Sequence, residues 1–167
     1  MSVPLSDEEK VERARANGIV DPETAMKVAR EVDIPFYILC AYLEQETGGG
    51  RNIWGNDDTW MRGIPLRAFG LEEVTKNSYM IYKLHRSRFG SQGVGPLQLT
   101  HSTIQDEADK NGGCWKPEVN ILTGAKLIKS FRDSEGSWHD AARRYNGSES
   151  YADHNDELRN KWREFIL

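Results

Sequence analysis

Residues 34–58 read IPFYILCAYLEQETGGGRNIWGNDD, and both the fold and the chemistry of the chain turn on this stretch. Pro35 suits a first helical turn, where its missing N–H has no partner to lose, and Asp33 ahead of it suits the N-cap. The helix then runs to about Thr47 and stops at Gly48-Gly49-Gly50. Ile38, Tyr42 and Glu46 fall at i, i+4 and i+8 with Leu39 and Leu43 beside them, so Glu46 prolongs an otherwise apolar stripe while Glu44 points elsewhere. A carboxyl at the end of a buried stripe is poorly hydrated, which disfavours its ionised form and raises its pKa. That is the state a general acid working near neutral pH requires. The alternative is a glutamate fraying into solvent at a helix end, and spacing alone does not choose between the two.

Upstream, Ser6-Asp7-Glu8-Glu9 has the form of an N-cap followed by an acidic first turn, and opens a charged N-terminal helix within residues 1–20 that ends near Gly18. Asp21-Pro22 repeats the start signal for a helix reaching Val32. Downstream, Asn52 to Asp58 reads as a turn, and residues 59–92 form an irregular or β insertion expected to line a cleft. Within it, Val74 to His85 fits a helix better than a strand. Gly90 to Thr100 is a tight glycine-rich turn, and Ser102 with Gln105 resembles a capping box for a helix ending at Asn111-Gly112-Gly113. Val119 to Arg132 carries a broad apolar face. Ser137 caps a helix ended by Gly147, and Asp156 opens the last amphipathic helix. The fold class expected is mainly α, a helical domain with the 35–47 helix at its centre.

The 167 residues are 38% hydrophobic, which suits a single domain over 1–167 with a real core. A net charge of −4 with no long run of Lys or Arg argues against nucleic acid as a partner. The five Trp and six Tyr supply rings that either fill a core or stack on sugars. The N-terminus lacks a basic and then apolar signal and no run is long enough to span a bilayer, so no membrane insertion is expected. A protein of this kind that works beyond a membrane has to be let through by something else. The four histidines show no HExxH or paired-cysteine spacing, and Asp153 to Glu157 lacks the glycine of a calcium loop, so neither a metal nor any other cofactor is expected. Cys40 reads as a small buried hydrophobe and Cys114 sits in a Gly-Gly-Cys-Trp loop.

Four short motifs follow one another along the chain: Glu46-Thr47 closing an apolar helix, Gly95-Pro96-Leu97-Gln98 after a glycine-rich turn, Asn120-Ile121 opening a helix, and Tyr145-Asn146-Gly147 ending one. Over about residues 22–165 the chain resembles the lysozyme-like domain of goose-type lysozymes and soluble lytic transglycosylases, as found in bacteriophage endolysins, with Glu-Ser, Gly-Leu-Met-Gln, Asn-Ile and Tyr-Asn motifs in that order. Trp54-Gly55-Asn56-Asp57 is similar to the Trp-Gly-Asp turn of the goose-type enzymes. The resemblance implies cleavage of the β-1,4 bond between N-acetylmuramic acid and N-acetylglucosamine in peptidoglycan. It implies Glu46 as catalytic acid, with Asp57 or its neighbour Asp58 as second carboxylate. Gln98, Tyr145, Asn146 and Trp54 would be the residues around the sugar. It further implies a monomer, or one module of a larger endolysin, held in the host cytoplasm until released and acting on glycan strands at the bacterial cell wall. The segment after Gln98 departs from the goose-type pattern, since Leu99-Thr100 stands in place of an apolar residue followed by aspartate; this leaves hydrolase and transglycosylase both open. Gln45-Glu46-Thr47 and Gly95-Pro96-Leu97-Gln98 are also similar to the plant-type chitinases, where Glu72 or Glu73 would supply the second acid. A non-catalytic wall-binding or phage structural module is a third reading, and the presence of Glu46 weighs against it.

Overall fold

Where the sequence sets a cap ahead of an amphipathic run, a helix forms. The computed structural model describes residues 3–55 and 72–167, and these are mainly α-helical, with eight helices among them. α1 (Asp7–Ala16) starts behind Ser6, whose hydroxyl accepts from the Glu9 N–H while the Glu9 carboxylate accepts from the Ser6 N–H. α2 (Pro22–Val32) is capped by Asp21 and begins on its proline. α3 (Phe36–Thr47) follows after three residues and ends on Gly48 in the left-handed conformation. Asp33 is not the N-cap of α3: it is the left-handed C-cap of α2, at φ 62°, and Pro35 holds the N-cap position of α3 without a side-chain bond. The chain has to turn between two helices here, and aspartate is among the few residues that tolerate this conformation.

The remaining helices are α4 (Lys76–Phe89), α5 (Ser102–Lys110), α6 (Pro117–Glu135), α7 (Trp138–Asn146) and α8 (Glu149–Ile166). α4 settles the ambiguous 74–85 stretch as helix, because Thr75 and Ser78 form a capping box and Tyr79 and Tyr82, one turn apart, are both fully buried. The expected cap of α5 does not form. His101 takes that position, and Gln105 instead turns into the core, donating to the Gln92 and Leu99 carbonyls and accepting from the Tyr82 hydroxyl and Arg86. A fully buried amide has to satisfy both its ends, and this site does so where a solvent-facing cap would not. α8 begins at Glu149, well ahead of Asp156, capped by Ser148 onto the Tyr151 N–H. Among the described residues the β content is limited to three isolated bridges, Ile53↔Glu73, Trp54↔Val94 and Val94↔Leu99. Residues 59–71 of the expected insertion lie outside the described residues.

α3 is the axis of the core. Every residue from Ile38 to Leu43 is at most 1% exposed, the burial expected of a helix that is apolar all round. α8 packs along it with Ala152, Leu158, Trp162 and Ile166, and α6 joins α2 and α7 around it. Glu44 does point elsewhere than Glu46, accepting at 2.5 Å from both Lys161 and the Trp162 indole on α8. Cys40 and Cys114 are buried, free thiols. No helix among the described residues is long and apolar enough to cross a membrane.

Candidate active site

The last turn of α3 delivers Glu46 to a groove of about 360 Å³ that Gln98, Tyr145 and Asn146 also line, together with Gly55, Gly93 and the start of α5 at His101 and Ile104. Glu46 is mostly buried, and three tyrosines surround it: Tyr42 one turn earlier on α3, Tyr145 from α7 and Tyr151 from α8. The Tyr151 hydroxyl donates to Glu46 Oε1 at 2.5 Å. Tyr42 and Tyr145 meet edge to face with ring centroids 5.5 Å apart. Burial pushes the Glu46 carboxyl up to about 7, and the Tyr151 hydrogen bond, which favours the charged form, pulls back against it. Burial raises the hydroxyls of Tyr145 and Tyr151 well above their usual value, so they stay protonated donors. A glutamate that holds its proton near pH 7 beside an open groove can hand that proton to a ligand.

The groove wall opposite α3 is a small hairpin. Val94 and Leu99 exchange both backbone hydrogen bonds around the turn at 95–98. Three helices pin this turn by its carbonyls and amides. Thr47 Oγ1 donates to the Pro96 carbonyl at 2.8 Å, the Tyr145 hydroxyl donates to the Leu97 carbonyl at 2.5 Å, and the Asn120 amide accepts from the Leu97 N–H and donates to the Val94 carbonyl. The four sequence motifs therefore meet at one place, although nothing in their spacing along the chain requires it. Gln98 sits in the left-handed region at φ 50°, which costs a residue other than glycine on the order of 1 kcal/mol and is typical of functional turns. Its amide nitrogen donates to the carbonyls of Ile53 and Gly95, both at 3.0 Å, which folds the side chain onto Gly93 and Gly55.

That seat exists because Gly93 has no side chain: a Cβ there would lie 2.3 Å from Gln98 Oε1. Gly93→Ala is expected to expel the Gln98 amide and lower stability by about 1–3 kcal/mol, the scale of losing buried hydrogen bonds. Chemical denaturation checks it, and unaltered stability would show that the Gln98 seat is not held as described.

Trp54 requires a correction. It is 0% exposed and packs edge to face on Tyr82 at 5.1 Å, so it belongs to the core and offers no face to a sugar. The reason is a long-range pairing: Gly55 hydrogen-bonds Gly93 and Trp54 bridges to Val94, which holds the indole in the core against Tyr82. Nor does the described part of the insertion line the groove, since α4 spends Tyr79 and Tyr82 on the core and the lining comes from Gly55 and Gly93 on either side. Asp57 and Asp58 lie outside the described residues. Glu72 and Glu73 border a separate hollow with Ile19, Arg51 and Ile121, so among the described residues Glu46 is the one carboxylate lining its groove.

Tyr151 is the residue the sequence analysis missed. A signal existed, because Tyr151, Asn155, Leu158 and Trp162 repeat at helical spacing behind the Ser148 cap. Against known family models, characterised proteins and solved structures alike, the chain shows no match.

Proposed function

We propose that the protein is a glycosidase of the endolysin type that cleaves the β-1,4 bond between N-acetylmuramic acid and N-acetylglucosamine in bacterial peptidoglycan, with Glu46 as general acid. The observation that carries this reading is a carboxyl held up to about 7 at the edge of an open groove, with a tyrosine hydroxyl 2.5 Å from it. Glu46 donates its proton to the glycosidic oxygen as the C–O bond breaks and positive charge develops on the sugar ring. The carboxylate left behind accepts the Tyr151 hydroxyl, which limits the cost of creating a charge in a poorly hydrated site. Gln98, Tyr145 and Asn146 line the space for the sugar. The partner is the glycan strand of the cell wall, reached once the protein is released from the host cytoplasm.

The glycosyl carbon then takes one of two nucleophiles. Water requires a second carboxylate to activate it, and Asp57 is the candidate; the 6-hydroxyl of muramic acid requires only that Glu46 take a proton back. Incubation with purified peptidoglycan followed by mass spectrometry tests the assignment, because either new reducing ends or new 1,6-anhydromuramic ends support it and unaltered glycan ends overturn it. Asp57→Asn separates the two routes. A hydrolase loses about 10²–10⁴-fold in turnover, the usual contribution of a general base, whereas a transglycosylase keeps near-normal turnover with anhydro ends.

A further inference from the structure

Behind Tyr151 runs a chain of side chains, Gln45, Asn155 and Arg159, that are not among the described residues lining the groove. Gln45, adjacent to Glu46 on α3, donates from Nε2 to the Tyr151 carbonyl at 3.0 Å, and its Oε1 accepts from Asn155 Nδ2 at 2.9 Å. One amide thus bonds α8 at two positions a helical turn apart. Its orientation is fixed, because the flipped amide would set oxygen against oxygen and NH₂ against NH₂. Asn155 is fully buried, and its own Oδ1 accepts from Arg159 Nε at 3.0 Å; Arg159 in turn pairs with Asp156. A buried polar chain in which each member is used by the next holds a backbone more rigidly than apolar contact does, since any slip leaves polar groups unpaired in a poorly hydrated interior.

We propose that Gln45, backed by Asn155 and Arg159, is a positioning residue that clamps the first turn of α8 to the last turn of α3 and so fixes the Tyr151 hydroxyl on Glu46. The inference rests on the reading of Glu46 as the working acid, but its test does not need a substrate. Among the described residues, the titratable groups around Glu46 are Tyr42 on its own helix, Tyr145 and Tyr151 from the two helices packed against it, and His101 across the groove. Of these, Tyr151 is the one that donates to the carboxylate.

The experiment is a titration of the Glu46 side-chain carbon by NMR in the full chain without glycan, for the parent, Tyr151→Phe, Gln45→Met and the double variant. Tyr151→Phe removes a bond to the charged form and moves the midpoint up by about one pH unit, the scale of a charge-assisted hydrogen bond. Gln45→Met is expected to move it in the same direction, and the double variant to match Tyr151→Phe alone, because the clamp acts only through that hydroxyl. A parent-like midpoint in Gln45→Met, or shifts that add in the double variant, would overturn the proposal and leave Gln45 with a packing role. If Gln45→Met does not fold, Gln45→Asn reports instead. It keeps the amide but is one methylene too short to reach both partners, so an upward midpoint supports the clamp and an unmoved one refutes it. Failure of the parent to cut peptidoglycan would leave these midpoints unchanged, which keeps the two inferences separable.

Discussion

Glu46→Gln is expected to lower the rate of peptidoglycan cleavage by about 10²–10⁴-fold, the contribution of a positioned general acid, while the protein still folds and still binds the glycan. The substitution exchanges one oxygen for NH₂ and removes the proton that has to reach the leaving oxygen. The groove is retained, because the hairpin opposite is held by Thr47, Asn120 and Tyr145 and none of their bonds uses Glu46. Sedimentation with insoluble peptidoglycan measures binding, and turbidity loss measures cleavage. Parent-like lysis by a folded Glu46→Gln protein would remove this residue from the chemistry. Loss of binding along with cleavage would instead mean that the side chain only builds the groove.

The same substitution is expected to change how stability responds to pH. The Glu46 carboxyl sits at about 7 in the folded protein against 4.5 for the ordinary group, so the native state binds the proton more tightly than the unfolded chain does. A raised folded value contributes stability that is fully present below 4.5 and is lost as pH rises through about 7. The loss amounts to at most about 3 kcal/mol, or roughly 5–10 °C in melting temperature for a chain of this size. Glutamine carries no such titration. Glu46→Gln should therefore melt close to the parent near pH 5 and clearly above it near pH 8, and parallel curves at both pH values would show that the carboxyl is not held dry. A gain in stability on removing a functional group is the usual sign that the group was kept in an unfavourable state for use.

The parts of the molecule legible in the sequence are those in which burial and capping dictate the same answer. α3 could be placed from its continuous apolar run and terminal glycines, and Glu46 from its register on that run. Asn120 and Tyr145 were legible only as members of motifs in order, since a buried amide and a core aromatic look alike wherever they occur. Trp54 was misplaced for that reason: a tryptophan beside a glycine turn has the same local sequence whether it faces a sugar or a core, and the bridge to Val94 that decides the matter is made 40 residues later. Tyr151 escaped because Ser148, Glu149, Ser150 and Asp153 make the opening of α8 read as a polar loop, although Ser148 is its cap. The inward turn of Gln105 was hidden by an equally good local use for the same side chain. In each case the deciding contact is long-range.

Glu46 and the Tyr151 hydroxyl that donates to it stand 105 residues apart in the chain, and the hairpin facing them is tied down by side chains from both sides of it in sequence. During synthesis Glu46 emerges early and Tyr145 and Tyr151 late. A fragment that stops short of α7 thus has the glutamate but lacks the Tyr145 and Asn146 side of the groove. If the proposed glycosidase reading holds, cleavage waits on α7 and α8, because only their docking closes the groove wall and brings the Tyr151 hydroxyl to the carboxyl.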